Sequence, residues 1–255
     1  MVTLSIVLPA YNEQRAIGAS LLRLASFLDN APAGRPWQEA EVVVVDDGSS
    51  DATVEEARAA SARRPARVVA LPRHRGKGAA VREGLLQARG DLIVVTDVDL
   101  SYGLQDVEQA AAALASGVDM VIGDRRHPSS RLDLSLSALG HVARRQIVSA
   151  LFNAAVRAVY GIRWKDTQCG LKGFRREAAA RVAPRVRTEG FLADIEMLLA
   201  AESLGLEVAA IPVHLTYLSG ESAVRVAGHA PGVALDALRI RWAQLRGRYG
   251  GSGGR

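Results

Sequence analysis

The chain has 255 residues and is 49% hydrophobic, enough to bury one large core. A single cysteine, Cys169, excludes a disulfide framework within the chain, and no run approaches the roughly 20 apolar residues needed to cross a bilayer. The net charge of +5 is uneven: residues 1–127 carry 14 Lys/Arg against 17 Asp/Glu, and residues 128–255 carry 18 against 10.

The basic second half points to an anionic partner, unless it is simply a solvated arginine-rich surface. The opening MVTLSIVLPAYNE lacks the basic and long apolar regions of a signal peptide. It reads instead as a strand over Leu4–Pro9. Glu13 to Leu28 has helical spacing, with Ile17, Leu21, Leu24 and Leu28 on one face. After the loop APAGRPW come a strand over Glu41–Asp46 and a helix over Asp51–Arg63. RVVALP is a third strand, with a helix over Gly76–Ala88. DLIVVTD is a fourth strand, followed by a helix over Leu104–Ala115, and VDMVIGD is a fifth. Short valine-rich runs alternating with helices predict a doubly wound α/β domain whose parallel sheet is covered on both faces. Such sheets bind ligands at the carboxyl ends of their strands.

The second half has a different texture. Leu136–Tyr160 reads as a long helix with Ile147, Leu151, Ala155 and Val159 on its apolar face, and GIRWKDTQCG as a loop. Ala193–Leu204 is a helix, EVAAIPVHLTYL a strand, and Pro231–Arg248 an amphipathic helix carrying Leu235, Leu238, Trp242 and Leu245 beside several arginines. The expected division is a domain over 1–230 in two halves, 1–127 and 128–230. An amphipathic helix (231–248) and a flexible tail (249–255) follow.

Four polar turns fall on the predicted carboxyl edge. PAYNE (Pro9–Glu13) ends the first strand, with Asn12 a candidate cap. In VVVVDDGSSDAT (Val42–Thr53), Ser49, Ser50 and Asp51 are good N-caps, but capping does not account for two adjacent acids, Asp46 and Asp47, behind four valines. RHRGKGAAV (Arg73–Val81) combines glycines with Lys77 at a helix start, the make-up of an anion site. It lacks the spacing of a P-loop. TDVDL places Asp97 and Asp99 two apart in a loop, where both carboxylates can approach one hard cation such as Mg²⁺. Together the turns suggest a nucleoside diphosphate held with a divalent metal. No His/Cys cluster supports zinc. Cys169 reads as structural or incidental. Aromatic residues are only 5% and do not interleave with the basic clusters, so nucleic acid is not expected as a partner.

The ordered set IVLPAYNE, VVVVDDGSSDAT, RGKGAAVREG and TDVDL resembles the signature of family 2 glycosyltransferases, which have the GT-A fold: a Rossmann-like, mostly parallel sheet flanked by helices. WKDTQCGLKGFRREAA (Trp164–Ala180), FLADIEML (Phe191–Leu198) and LSGES (Leu218–Ser222) are similar to segments of the dolichyl-phosphate glucosyltransferases. The resemblance implies that Pro9, Tyr11, Glu13, Asp46 and Asp47 hold the nucleoside and that Lys77 sits near the nucleotide. It implies that Asp97 and Asp99 carry Mg²⁺ or Mn²⁺ on the donor diphosphate. Arg125, Arg144 and Ser222 would meet the acceptor phosphate, and Gln168 and Asp194 would face sugar and acceptor. There are departures: the family often has D-A-D where this chain has Asp97-Val98-Asp99, and its loop lysine is replaced by Ala223, with Arg225 nearby.

The activity so implied is inverting transfer of a hexose, glucose from UDP-glucose, onto a polyprenyl or dolichyl phosphate. The protein would be cytoplasmic and peripheral on the cytoplasmic face of an anionic membrane. A GDP-mannose donor, a soluble or polysaccharide acceptor, and a homo-oligomer stay open from the residues alone. A nucleotidyltransferase is disfavoured by PAYNE, which is not the glycine- and arginine-rich loop such enzymes carry after the first strand.

Overall fold

A computed structural model describes residues 1–30, 34–62, 64–133, 152–216 and 226–249, with side chains in the last stretch described from residue 232. Predicted features at Arg144, at Ser222 to Arg225 and over residues 136–151 lie outside the described residues. The chain runs β1 (Thr3–Ala10), α1 (Ile17–Asp29), β2 (Glu39–Asp46), α2 (Thr53–Ala60), β3 (Ala66–Ala70), α3 (Lys77–Gln87) and β4 (Leu92–Val95). It continues with α4 (Leu104–Ala115), β5 (Met120–Asp124), β6 (Arg131–Asp133), a helix α5 at 152–160, β7 (Lys172–Arg175) and α6 (Arg176–Val182). Last come α7 (Ala193–Ser203), β8 (Val208–Pro212), β9 (His214–Thr216) and α8 (Val226–Leu245).

Seven strands form one sheet in the order β3-β2-β1-β4-β7-β5-β8. Every pairing is parallel except those of β7, which runs antiparallel between β4 and β5. The fold is therefore the mostly parallel α/β sheet of the GT-A class. The valine run of β2 shows why the sheet needs cover on both sides: Val42 and Val44 point into one core layer, Val43 and Val45 into the other. One layer receives α1 and α4, the other α3, α6 and α7. On α1 the predicted face is the buried one: Ile17, Leu21, Leu24 and Leu28 all face the sheet. On α4, Val107, Ala110, Ala111 and Leu114 recur at i, i+3, i+4 and i+7.

Several expectations are corrected. Neither α1 nor α2 has a side-chain cap at its N-cap residue; those positions are Ala16 and Ala52. The polar residues of the two turns brace each other instead. Asn12, in the left-handed region at φ 56°, accepts from Ser50 N and donates its own N–H to Ser49 Oγ, while Glu13 N donates to Thr53 Oγ1. The stretch read as a single strand after residue 207 splits at Val213. β8 joins the main sheet, and β9 pairs with β6 in a separate two-stranded sheet. β7 and α6 were not anticipated. On α5 the inward residues are Asn153, Val156 and Tyr160, whereas Val159, expected on the apolar face, is 47% exposed.

Helix α8 begins at Val226, before Pro231. It presents Ile240 and Ala243 to the core, leaving Leu235, Leu238, Trp242 and Leu245 in solvent. Residue 249, placed in the flexible tail, is buried. The reason is Glu196 on α7, itself 1% exposed, whose carboxylate accepts from Arg187 N, Thr188 N and the Tyr249 hydroxyl. Burial and the adjacent Glu196 carboxylate push the Tyr249 phenol well above its ordinary range.

Glu196→Ala, which strands two backbone donors, is expected to cost about 3–5 kcal/mol, and Tyr249→Phe about 1–3 kcal/mol, in urea denaturation.

Candidate active site

The carboxyl ends of β1, β2 and β4 release three polar turns along one edge of the sheet. Because β7 is antiparallel, its first residue arrives at that same edge: Lys172 is registered with Val95, two residues before Asp97. This brings the block Asp166–Gly170, which lies just ahead of β7, against the predicted metal pair.

Asp97 is the crowded point. Lys77, the first residue of α3, donates its ammonium to Asp97 Oδ1. On the other side a Cβ added to Gly170 would lie 2.2 Å from Asp97 Oδ2. A larger residue there has to displace the Asp97 carboxylate. Burial alone would raise the Asp97 carboxyl, but Lys77, with Lys172 and Arg125 farther off, outweighs it and holds the group below its ordinary value. Burial would lower the Lys77 ammonium; Asp97 and Asp194 outweigh that and raise it. Asp99 accepts from Ser101 N and Oγ through Oδ1, which leaves Oδ2 without a partner among the described residues. Glu13 belongs to the same field. Its carboxyl is raised, first by partial burial and then by Asp99 and Asp97.

The nucleoside candidates separate by their bonding. Asp47 is 2% exposed and spends both oxygens on the neighbouring turn: Oδ1 accepts from Arg75 N, and Oδ2 from Gly76 N and His74 Nδ1. It is a latch on the RHRGKG loop. Asp46 is 3% exposed and accepts from Ser49 N through Oδ2, while its Oδ1 is buried and without a partner among the described residues. Tyr11 stacks on His74 with ring centroids 3.8 Å apart and an interplanar angle of 25°. His74 thus sits beside two of the candidate residues, Tyr11 and Asp47. Pro9 lies in β1 opposite Val45.

The loop carrying Lys77 is clamped from its far side. Gly76, at φ +119°, has its Cα where a side chain would meet Glu189 O at 2.5 Å, and Arg75 pairs with Glu189. Gly78 packs equally closely on Ala193, the first residue of α7. Asp194, next in α7, pairs at 2.9 Å with Lys172 Nζ, which also donates to Cys169 O. Gln168 donates from Nε2 to Phe191 O, tying its block to the same turn.

Arg125, expected to meet the acceptor phosphate, has its guanidinium engaged within the chain. Its Nε and Nη2 meet the two oxygens of Asp166, whose side chain is 1% exposed. Burial would raise that carboxyl, and Arg125 outweighs burial to lower it. Cys169 is buried with its thiol pushed up to about 11, first by burial and then by Asp166; it is structural. Asp166, Gly170 and Lys172 were missed as site residues. The signal available was a lysine inside the apolar run GLKGF and a glycine beside a cysteine with no metal partner.

No group of three or more His, Cys, Asp or Glu able to hold a metal occurs among the described residues. The donor set at the β4 turn still fits a hard divalent ion shared with phosphate. It consists of two carboxylates in one loop, one with a free oxygen, in a field where Glu13 adds negative charge.

Residues 5–182 match the family model described as glycosyl transferase family 2. The chain belongs to that family. It is a glycosyltransferase with the GT-A fold, 32% identical to a dolichyl-phosphate beta-glucosyltransferase of Trichomonas vaginalis over 92% of this chain and 70% of that one. It is 33% identical to the Drosophila melanogaster dolichyl-phosphate beta-glucosyltransferase over 85% of this chain and 68% of that one. Among solved structures, the Mycobacterium tuberculosis glucosyl-3-phosphoglycerate synthase, in complex with Mn²⁺, UDP-glucose and phosphoglyceric acid, superposes with a TM-score of 0.64. That likeness covers 94% of this chain and 79% of that one at 23% identity, and it shows the shared fold.

Gly170→Ala in this glycosyltransferase should displace the Asp97 carboxylate, lowering kcat/KM by about 10²-fold or more while the melting temperature changes little. Steady-state kinetics beside a thermal melt test this.

Proposed function

We propose that the enzyme transfers glucose from UDP-glucose to a polyprenyl or dolichyl phosphate, with inversion, at the cytoplasmic face of a membrane. The observation that carries this reading is the packing of Gly170, at the end of a segment whose sequence resembles the dolichyl-phosphate glucosyltransferases, directly against Asp97. The 32–33% identity to enzymes of that name over most of the chain supports the lipid phosphate acceptor and glucose over mannose. The solved relative with UDP-glucose and Mn²⁺ supports the donor and the metal.

The roles follow from the bonding. Asp46 Oδ1, an unpartnered buried acceptor, takes an N–H of the base, and the Tyr11–His74 stack offers an aromatic face beside it. Asp47 serves the nucleoside indirectly by fixing the loop, and Pro9 and Glu13 line the same edge. Lys77 meets the diphosphate. Asp97 and Asp99 hold Mg²⁺ or Mn²⁺, which as a Lewis acid neutralises the leaving UDP.

A phosphate monoester has a second pKa near 6, so the acceptor is a dianion at neutral pH and its own nucleophile. Its oxygen bonds to the anomeric carbon as the bond to UDP breaks, and no strong general base is required. Asp194 needs no role as a base in this chemistry; its carboxylate neutralises buried Lys172. Arg125 supplies field from its pair with Asp166. Arg144 and Ser222 are assigned to the acceptor phosphate from the sequence alone, and Gln168 ties its segment to the turn before α7.

The membrane contact is proposed for α8. Leu235, Leu238, Trp242 and Leu245 recur at spacings of three, four and three, and are 48–70% exposed. Arg246 stands over Trp242 at 3.6 Å, and Arg239 is exposed alongside. Apolar side chains flanked by arginines suit the interface of an anionic bilayer. No described helix is long and apolar enough to cross one.

The first test mixes purified protein, Mg²⁺ or Mn²⁺, and radiolabelled UDP-glucose or GDP-mannose with polyprenyl phosphate in detergent. Label from UDP-glucose should enter the organic phase as a β-linked product, and Asp99→Ala should lower the rate about 10²-fold or more. Label entering only from GDP-mannose, or from neither donor, overturns the assignment. For α8, the protein should sediment with phosphatidylglycerol vesicles, less so at high salt. Leu238→Glu with Trp242→Glu should abolish sedimentation. A wild-type dimer in ultracentrifugation that ignores vesicles would instead place a second copy on this face.

A further inference from the structure

Lys77 stands where a cation is needed. Its ammonium is bonded to Asp97, one of the two carboxylates read as the metal pair, and both side chains keep solvent access at 40% and 29% exposed. Asp97 Oδ1 is bonded to Lys77, its Oδ2 lies close to Gly170, and Asp99 Oδ1 is held by Ser101, so among the described residues a free divalent ion meets few unclaimed oxygens here. A hard cation of this kind asks for about six.

We infer that Lys77 is an internal counterion that excludes the divalent metal from Asp97 until a donor diphosphate draws the ammonium away, so that metal and nucleotide bind as one coupled event. The inference rests on Asp97 and Asp99 being the cation site.

The local structure suits a partner exchange confined to one side chain. The backbone on both sides of Lys77 is fixed: Gly76 and Gly78 are packed on Glu189–Ala193, Arg75 is paired with Glu189, and Gly76 N is held by Asp47. Lys77 also opens an 11-residue helix, whose amino end favours an anion. An arriving diphosphate therefore offers the ammonium a second anionic partner within its reach. Transfer of Lys77 removes the repulsion between its charge and the ion and frees Asp97, while the phosphates supply the missing oxygen ligands. By linkage, whatever factor UDP adds to metal affinity, the metal adds to UDP affinity. The chain thereby avoids holding a tightly bound ion at an empty donor site, and Asp97 is never left as an uncompensated carboxylate.

The experiment measures Mn²⁺ binding by electron paramagnetic resonance, with and without UDP and with no acceptor present. In the wild type, Mn²⁺ should bind weakly alone and at least about tenfold more tightly with UDP. Lys77→Met keeps the length and removes the charge. It should raise UDP-free Mn²⁺ affinity about tenfold or more and shrink the enhancement that UDP produces. Lys77→Arg keeps the charge and should retain weak UDP-free binding. Unchanged or weaker UDP-free binding in Lys77→Met overturns the counterion role. Tight Mn²⁺ binding by the wild type without UDP overturns it as well. Absence of Mn²⁺ binding with UDP in both proteins removes the cation site and the inference together. None of these readouts uses a lipid, so they stand apart from the choice of acceptor.

Discussion

The Asp97 carboxylate is wedged between the ammonium of Lys77 and the backbone of Gly170, and the working edge of the sheet is organised around that contact. An added methyl group at residue 170 would displace it, and removal of Lys77 would leave a part-buried carboxylate without its nearest cation. Neither neighbour comes from β4 or the turn after it, which carries Asp97. Lys77 is supplied by the turn after β3, and Gly170 by the segment that leads into β7. The site is therefore a product of sheet order, and its precision depends on how firmly those two segments are held.

They are held largely by each other's supports. The RHRGKG turn is latched by Asp47 from below and packed on Glu189–Ala193 from the side. The Asp166–Gly170 segment is pinned by the Arg125–Asp166 pair, and Lys172 and Gln168 link it to the turn that begins α7. Glu196, one turn along α7, then ties that helix to the end of the chain through Tyr249. Charge-assisted hydrogen bonds on and around α7 thus support both of the segments that meet Asp97. Such bonds are stronger than neutral ones and hold their partners in a narrower geometry.

The charge asymmetry has a structural meaning within this arrangement. Seven of the 17 acids of the first half, Glu13, Asp46, Asp47, Asp51, Asp97, Asp99 and Asp124, fall at or just after the carboxyl ends of β1, β2, β4 and β5. The basic residues of the second half are more widely spread, with five arginines over 175–187 and four over 239–248. On α8 Leu235, Leu238, Trp242 and Leu245 share the solvent side with Arg239, while Ile240 and Ala243 face inward. A helix arranged to satisfy only its own core would bury Trp242, its largest apolar group.

Local pattern determined much of this protein. Valine runs too short for helices but apolar on both faces could be only buried parallel strands, and the spacing of Ile17, Leu21, Leu24 and Leu28 could bury only one face of a helix. The acids at Asp46, Asp97 and Asp99 were legible because polar residues immediately after a buried strand fall at the ligand edge whatever the rest of the fold does. Tertiary structure alone decided the partners. β7 is four residues long and contains a lysine and a glycine, so no periodicity marks it as a strand. Its antiparallel insertion between β4 and β5 carries Lys172, Gly170 and Asp166 to the site. Tertiary structure likewise turned Arg125 toward Asp166, made Asp47 a latch while leaving Asp46 with a free acceptor, and faced the large apolar residues of α8 outward. In each case the residue type was visible in the sequence. Its role depended on a neighbour tens of residues away, and chain-local spacing carries no information about such a neighbour.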